Sequence, residues 1–390
     1  MKRRALMRAG FLATGAAWLV GALRPRRAQA EVSAYRKVDV ARLRRAFAAP
    51  AQAPELLLAF AHWLATRAPP GLPLAEGLSG DDGKWTARFN DYWIEEGADL
   101  SEAFAVLLSI GDGGDVALWN RSGGPSSRWP VVLIGGEGEA VVLADSFAGF
   151  LARIALADFT ESGAGDPEGY AWSEFRTDAE NGDEDAEADG DGRADAAAAR
   201  SALADWLRRQ TGTDDLASLA QSHVPADALR TFFNAHQRSV LARRATSADW
   251  RALRECVRDD RPTNGHDDLE VVCAGDFFRI GDLSRRGRRF VPYARSREIE
   301  ACIRALRDER ANRLPAHGLW FHARLRIYAA DVAAAIGPPG HIDLIAQYLD
   351  DAADMSWLPK PPTAQIRADC LRRPRSAWWT PGWLKAILAA

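Results

Sequence analysis

FAVLLSIGDGGDVALWNRSGGPSSRWPVVLIGGEGEAVVLADSFAGFLARIALADF, residues 104–159, decides the fold. Four short apolar runs lie along it: Phe104–Ile110, Val116–Trp119, Val131–Ile134 and Val141–Ala144. Clusters of Gly and Asp, of Gly, Pro and Ser, and of Gly and Glu separate them. Runs of this length between such breakers predict strands joined by tight connections, a meander. Asp145 or Ser146 reads as a helix N-cap, since a short side-chain oxygen there can accept from first-turn amides. Phe147, Phe150, Leu151, Ile154 and Phe159 follow at helical spacing. The segment therefore reads as a small sheet closed by one amphipathic helix.

The same segment resembles the SUKH superfamily, which comprises yeast cell-wall assembly regulators and bacterial immunity proteins. The likeness rests on features in a set order. A Gly/Asp turn (Gly111, Asp112, Gly113, Gly114, Asp115) precedes an Ala117-Leu118-Trp119 strand end. Pro130-Val131-Val132, the turn Gly136-Glu137-Gly138-Glu139 and a helix opening on Ser146-Phe147 come next. The match runs from Asp99 to Ala157, thins back to Pro54 and stops near residue 160. Ala53–Ala68 stands where members carry a helix with a Leu-Pro-Tyr-like entry, which marks a divergent member. The resemblance implies a protein-binding function of the immunity type, in which a secreted toxin is neutralised by direct contact.

Outward from this segment, the 390 residues have room for two domains, a leader and a linker. Lys2, Arg3, Arg4 and Arg8 form a basic start, Ala9–Leu23 is apolar, and Ala28-Gln29-Ala30 resembles a cleavage site. Residues 1–30 thus read as a signal peptide, with an apolar stretch too short for a stable membrane span. The periplasm or an exported location follows; a misassigned start codon would instead leave the chain cytoplasmic. The expected architecture is α+β: a SUKH-like domain over 31–160, an acidic linker over 161–200 and a helix-rich α+β domain over 201–390.

Charge separates these parts. Residues 31–160 hold 11 basic and 17 acidic side chains, residues 161–195 hold 2 and 13, and residues 196–390 hold 30 and 23. The middle block is too polar and too uniformly charged to bury enough surface to order itself. An EF-hand register starting at Glu187 would put Ala198 where a bidentate Glu is required, which argues against calcium. The basic C-terminal part contains Arg285, Arg286, Arg288 and Arg289, a candidate anion-binding cluster. No aromatic-interleaved RNA-binding pattern or zinc finger accompanies it, so nucleic acid is the weaker alternative partner.

The C-terminal half predicts helices through Leu229, Phe232, Phe233, His236 and Val240, and through Trp250, Leu253 and Val257. Strands are expected at 271–273, 277–280, 290–291 and 317–328. Helices are expected over 297–313 and, from Ile342, Ile345, Leu349 and Ala353, beyond 342. Cys256, Cys273, Cys302 and Cys370 allow two disulfides or four free thiols.

Catalytic signatures are missing from the sequence: there is no G-x-S-x-G, H-E-x-x-H or G-x-x-x-x-G-K-[ST] motif. No cofactor, metal or catalytic residue is expected. The contact surface for a toxin-like partner is expected to be acidic and aromatic: Asp91, Trp93, Glu95, Glu96, Asp112, Asp115, Glu137 and Glu139, with Trp93 as the anchor. The alternative is a ligand- or nucleic-acid-binding protein, or an enzyme, that acts through the basic C-terminal domain with the SUKH-like domain as adaptor.

Overall fold

The computed structural model describes residues 40–47, 52–69, 72, 74, 78, 100, 103–109, 114–135, 139–158, 190–225, 227–260, 262, 265–284, 289–294, 296–329, 342–347, 358–377 and 379–390. Its first part opens with helices α1 (Val40–Arg45) and α2 (Glu55–Thr66). Strands β1 (Phe104–Ser109), β2 (Asp115–Trp119), β3 (Val131–Ile134) and β4 (Ala140–Ala144) follow the four apolar runs. They pair antiparallel in the order β1-β2-β3-β4, the meander read from the breakers. Helix α3 (Phe147–Leu156) comes next. Ser146 is its cap and accepts from the Gly149 amide at 3.1 Å. Asp145 acts elsewhere, accepting from Ser222 Oγ and the His223 amide at 2.6 Å each and from the Val224 amide at 3.0 Å.

Side chains alternate along a strand, so the sheet has two faces. Ala105, Val116, Leu118, Leu133 and Leu143 lie on one, and Phe104, Ala117, Trp119, Val132 and Val142 on the other. Both faces are apolar, and a single helix covers only one of them. The rest of the cover comes from beyond the acidic block: α4 (Gly190–Thr211), α5 (Leu216–Ala220) and α6 (Ala228–Thr246). On the first face Leu203, Trp206 and Leu207 of α4 join Phe60 and Trp63 of α2 and Phe147 and Phe150 of α3. Trp206 stacks on Trp63 at 5.5 Å. Leu229 and Phe233 of α6 cover the second face, with Phe233 5.7 Å from Phe104.

Residues 190–200, expected within the linker, are thus helical, and Ala196 and Ala199 are buried. The run Ala196–Ala199 supplies the small apolar surface that the preceding acidic stretch lacks. The acidic residues 161–189 themselves lie outside the described residues.

The second part runs α7 (Ala248–Val257), β5 (His266–Ala274), β6 (Phe277–Ser284), β7 (Arg289–Pro292), α8 (Ser296–Arg313), β8 (His322–Tyr328), β9 (Ile342–Gln347), α9 (Thr363–Arg372) and α10 (Gly382–Ala389). Its sheet is antiparallel in the order β7-β6-β5-β8-β9. One face (Leu269, Val271, Ile280, Ala323, Leu325) packs on Trp250, Leu253 and Val257 of α7 and Ile299, Ile303 and Leu306 of α8. Two expectations need correction. The helix expected from Ile342 is strand β9, paired along β8 from His322–Gln347 to Ile327–Ile342. Ile342, Ile345 and Leu349 recur at helical spacing while Ile342 and Leu344 alternate, and ladder bonds to β8 decide the matter. The strand expected from His317 begins only at His322, because Gly318 takes a positive φ of 62° and breaks the extended run. Mixed helix and two antiparallel sheets make the fold α+β.

Two positions in and after α3 carry opposite expectations. A Cβ at Gly149 would lie 2.7 Å from the Leu219 carbonyl oxygen, a backbone atom with little room to yield. Ala157 ends the helix at φ 53°, a conformation that suits glycine. Gly149→Ala, which on an exposed helix stabilises by about 1 kcal/mol, is expected here to cost about 1–3 kcal/mol. Ala157→Gly is expected to stabilise by about 1 kcal/mol. Urea denaturation of both variants checks the two signs.

Candidate functional site

The expected acidic surface falls into three groups. Asp91, Trp93, Glu95, Glu96, Asp112 and Glu137 lie outside the described residues. Glu139, just before β4, is half-buried. Asp115 is a correction: it opens β2 at 5 % exposure and accepts from Ser109 Oγ at 2.5 Å. Its carboxylate is held inside the sheet end, so it is not a surface contact. Trp119 is likewise core, at 1 % exposure. Register nonetheless aligns the strand ends on either side of the two acidic stretches. Ser109 pairs with Asp115, Asp115 with Ile134, and Ile134 with Ala140. Strands β1 and β3 therefore both end, and β2 and β4 both begin, within a residue of this one row.

Of the expected anion cluster, Arg285, Arg286 and Arg288 lie outside the described residues. Arg289 opens β7 and pairs with Ser284.

A group of residues that motif searching misses lies on the second sheet, on the face away from α7 and α8. In β5 the core residues Leu269 and Val271 alternate with Asp268 and Glu270; in β8 Ala323, Leu325 and Ile327 alternate with His322, Arg324 and Arg326. Register sets Glu270 opposite Arg324, Asp268 opposite Arg326, and Val272 between His322 and Arg279. His322 Nε2 meets Glu270 Oε2 at 2.6 Å, and Arg324 Nε donates to Glu270 Oε1 at 3.3 Å. Arg326 grips Asp268 through Nε and Nη2 at 2.9 and 3.2 Å; burial opposes its charge, and these bonds to the carboxylate outweigh burial and hold the guanidinium firmly charged. Glu270 and His322 are only 3 % and 8 % exposed. His322 Nδ1 is buried and has no hydrogen-bond partner among the described residues. The sequence signal was present as charges of opposite sign at period two in HDDLEVVCA and HARLRIY. Only the pairing of two segments some fifty residues apart makes it a cluster.

Next along this face Ala274 and Phe321 pack under Ile366 and Cys370 of α9 and Leu384 of α10. A buried ion pair holds those helices. Arg307 Nη2 donates to Asp369 Oδ2 at 2.8 Å, Arg307 Nε donates to the Trp320 carbonyl at 2.7 Å, and the Gly275 amide donates to Asp369 Oδ2 at 2.9 Å. Asp369→Ala is expected to cost about 3–5 kcal/mol in urea denaturation, because it strands a buried guanidinium.

All four cysteines are free thiols. Burial pushes the Cys273, Cys302 and Cys370 thiols up, so they stay protonated at neutral pH. Cys273 faces Arg304 at 3.4 Å rather than a histidine, so it is not set up as a Cys–His nucleophile. Among the described residues no helix is long and apolar enough to cross a membrane. No protein-family model, curated protein or solved structure matches the chain.

His317 lies apart from His322, its ring 3.9 Å from that of Trp379. Burial, with Arg310, Arg313 and Arg375 nearby, pushes its pKa down to about 2. The imidazole is therefore neutral when folded and titrates near 6.5 when unfolded. As pH falls below about 6.5 the unfolded state binds a proton that the folded state refuses. Stability from this group is complete above that value and falls by up to about 1.4 kcal/mol per pH unit below it. His317→Phe is expected to flatten stability against pH between about 6 and 4; an unchanged slope would show an imidazole that protonates in the fold.

Proposed function

We propose that this chain is a protein-binding protein of the immunity type, which neutralises a toxin by direct contact through its first part. The observation that supports the proposal is the row Ser109–Asp115–Ile134–Ala140, at which β1 and β3 end and β2 and β4 begin, with Asp112, Glu137 and Glu139 in the sequence between those ends. Both faces of that sheet are buried under helices, so a partner meets loop ends and helix exteriors, not strands. Glu137 and Glu139, with Asp112, supply negative charge on those connections; Asp91, Trp93, Glu95 and Glu96 complete the contact surface in the same reading. An acidic rim of this kind suits a cationic toxin site, speeding encounter and competing with an anionic substrate. The leader-like residues 1–30 support a partner that acts in the periplasm.

The test is co-expression with candidate toxin domains, followed by binding kinetics of any that the chain neutralises. Double reversal of Glu137 and Glu139 to Lys is expected to slow association about tenfold or more at low salt, with the difference shrinking as salt rises. Failure to protect cells from any such toxin would set the immunity reading aside. Protection with unchanged association would move the contact surface elsewhere.

A further inference from the structure

We propose that Cys256 and Cys302 are a redox-sensitive pair, joined on oxidation by a disulfide that fastens α7 to α8. Cys256 lies at the end of α7 and Cys302 in the second turn of α8. Both are half-buried at the edge of the core that these helices share. Cys256 Sγ reaches the Glu298 carbonyl oxygen of α8 at 3.8 Å, a contact suited to the weak thiol donor. Glu298 is one turn before Cys302, and a helical side chain leans back over the turn that precedes its own Cα. The Cys302 side chain therefore leans toward the turn that the Cys256 sulfur touches. Burial, and next the neighbouring Cys256, push the Cys302 thiol up, as close like groups do. A disulfide needs Cβ atoms only about 4 Å apart, a spacing in keeping with a sulfur set against that turn.

The other two cysteines are excluded by their places in the fold. Cys273 is fully buried in β5 on the side of α7 and α8, while its neighbour Ala274 faces Cys370 of α9 on the opposite side of the sheet. The sheet thus stands between Cys273 and Cys370. Cys273 does approach α8, but at Arg304, whose Nη1 lies 3.4 Å from its sulfur. Cys302 is two positions from Arg304, and residues so spaced point to different sides of a helix. One pairing remains of those that four cysteines allow.

The oxidant is a disulfide, of a small molecule or of an oxidoreductase. One cysteine thiolate attacks a sulfur of that disulfide and expels the first thiol. The second cysteine attacks the protein sulfur of the mixed disulfide and expels the other thiol. The two cysteine protons end on the two departing thiols, so the chain is oxidised as the disulfide is reduced. Joining the helices closes the chain between them, with β5, β6 and β7, into one covalent loop.

The test treats the full chain, purified reduced, with oxidised glutathione, followed by alkylation of remaining thiols, intact mass and tryptic mapping. The chain is expected to lose the two transferred hydrogens and to yield Glu255–Arg258 linked to Glu298–Arg304, with Cys273 and Cys370 recovered unlinked. Its midpoint of thermal unfolding is expected to rise by about 5 °C or more, and to fall back on reduction. Cys256→Ala is expected to abolish the linked peptide and the difference between oxidised and reduced midpoints. Separate glutathione adducts without a link, a link through Cys273 or Cys370, or a linked chain no more stable than the reduced one would overturn the proposal.

Discussion

Both faces of the first sheet are apolar, and most of its architecture follows from that constraint. Strands reading FAVLLS, DVALW, VVLI and AVVLA leave no polar face to turn to water. Two layers of helix must cover them, and α3 supplies only part of one. After a long acidic stretch, α4 to α6 supply the rest of the cover, with Trp206, Leu207, Leu229 and Phe233 buried against the sheet. Asp145 fixes the return: its carboxyl, held below the usual carboxylate range by hydrogen bonds that outweigh its partial burial, ties residues 222–224 to the end of β4.

The second sheet obeys a different rule. One face is apolar and packs on α7 and α8; the other carries charges in facing rows. Such a face is economical when open to water, where each ion pair is worth little. It is costly when buried, and Glu270 and His322 are buried. The Arg307–Asp369 pair fixes the helices that pack over part of that face. Gly275 and Trp320 lend backbone groups to the same clamp.

Much of the first part was legible in its residues. Apolar runs between Gly-rich breakers located all four strands to within a residue, and the cap read at Asp145 or Ser146 located the start of α3. Helical spacing likewise found the buried faces of α6 and α7. Ile342–Gln347 misled because its spacing suits a helix and a strand equally, and the choice rests on the open edge of β8. Asp115 misled because an Asp beside glycines is normally solvated, and only the pairing with Ser109 places it inside.

By itself, then, the sequence determined the local elements: where the chain can extend, where it must turn, and which helix faces are apolar. These depend on neighbours a few residues apart. Tertiary structure alone decided that the region after the acidic block completes the core of the first sheet. It alone joined Glu270 to His322 across 52 residues. The physical reason is the same for both. Burial and electrostatic pairing depend on distance in space, which spacing along the chain does not encode.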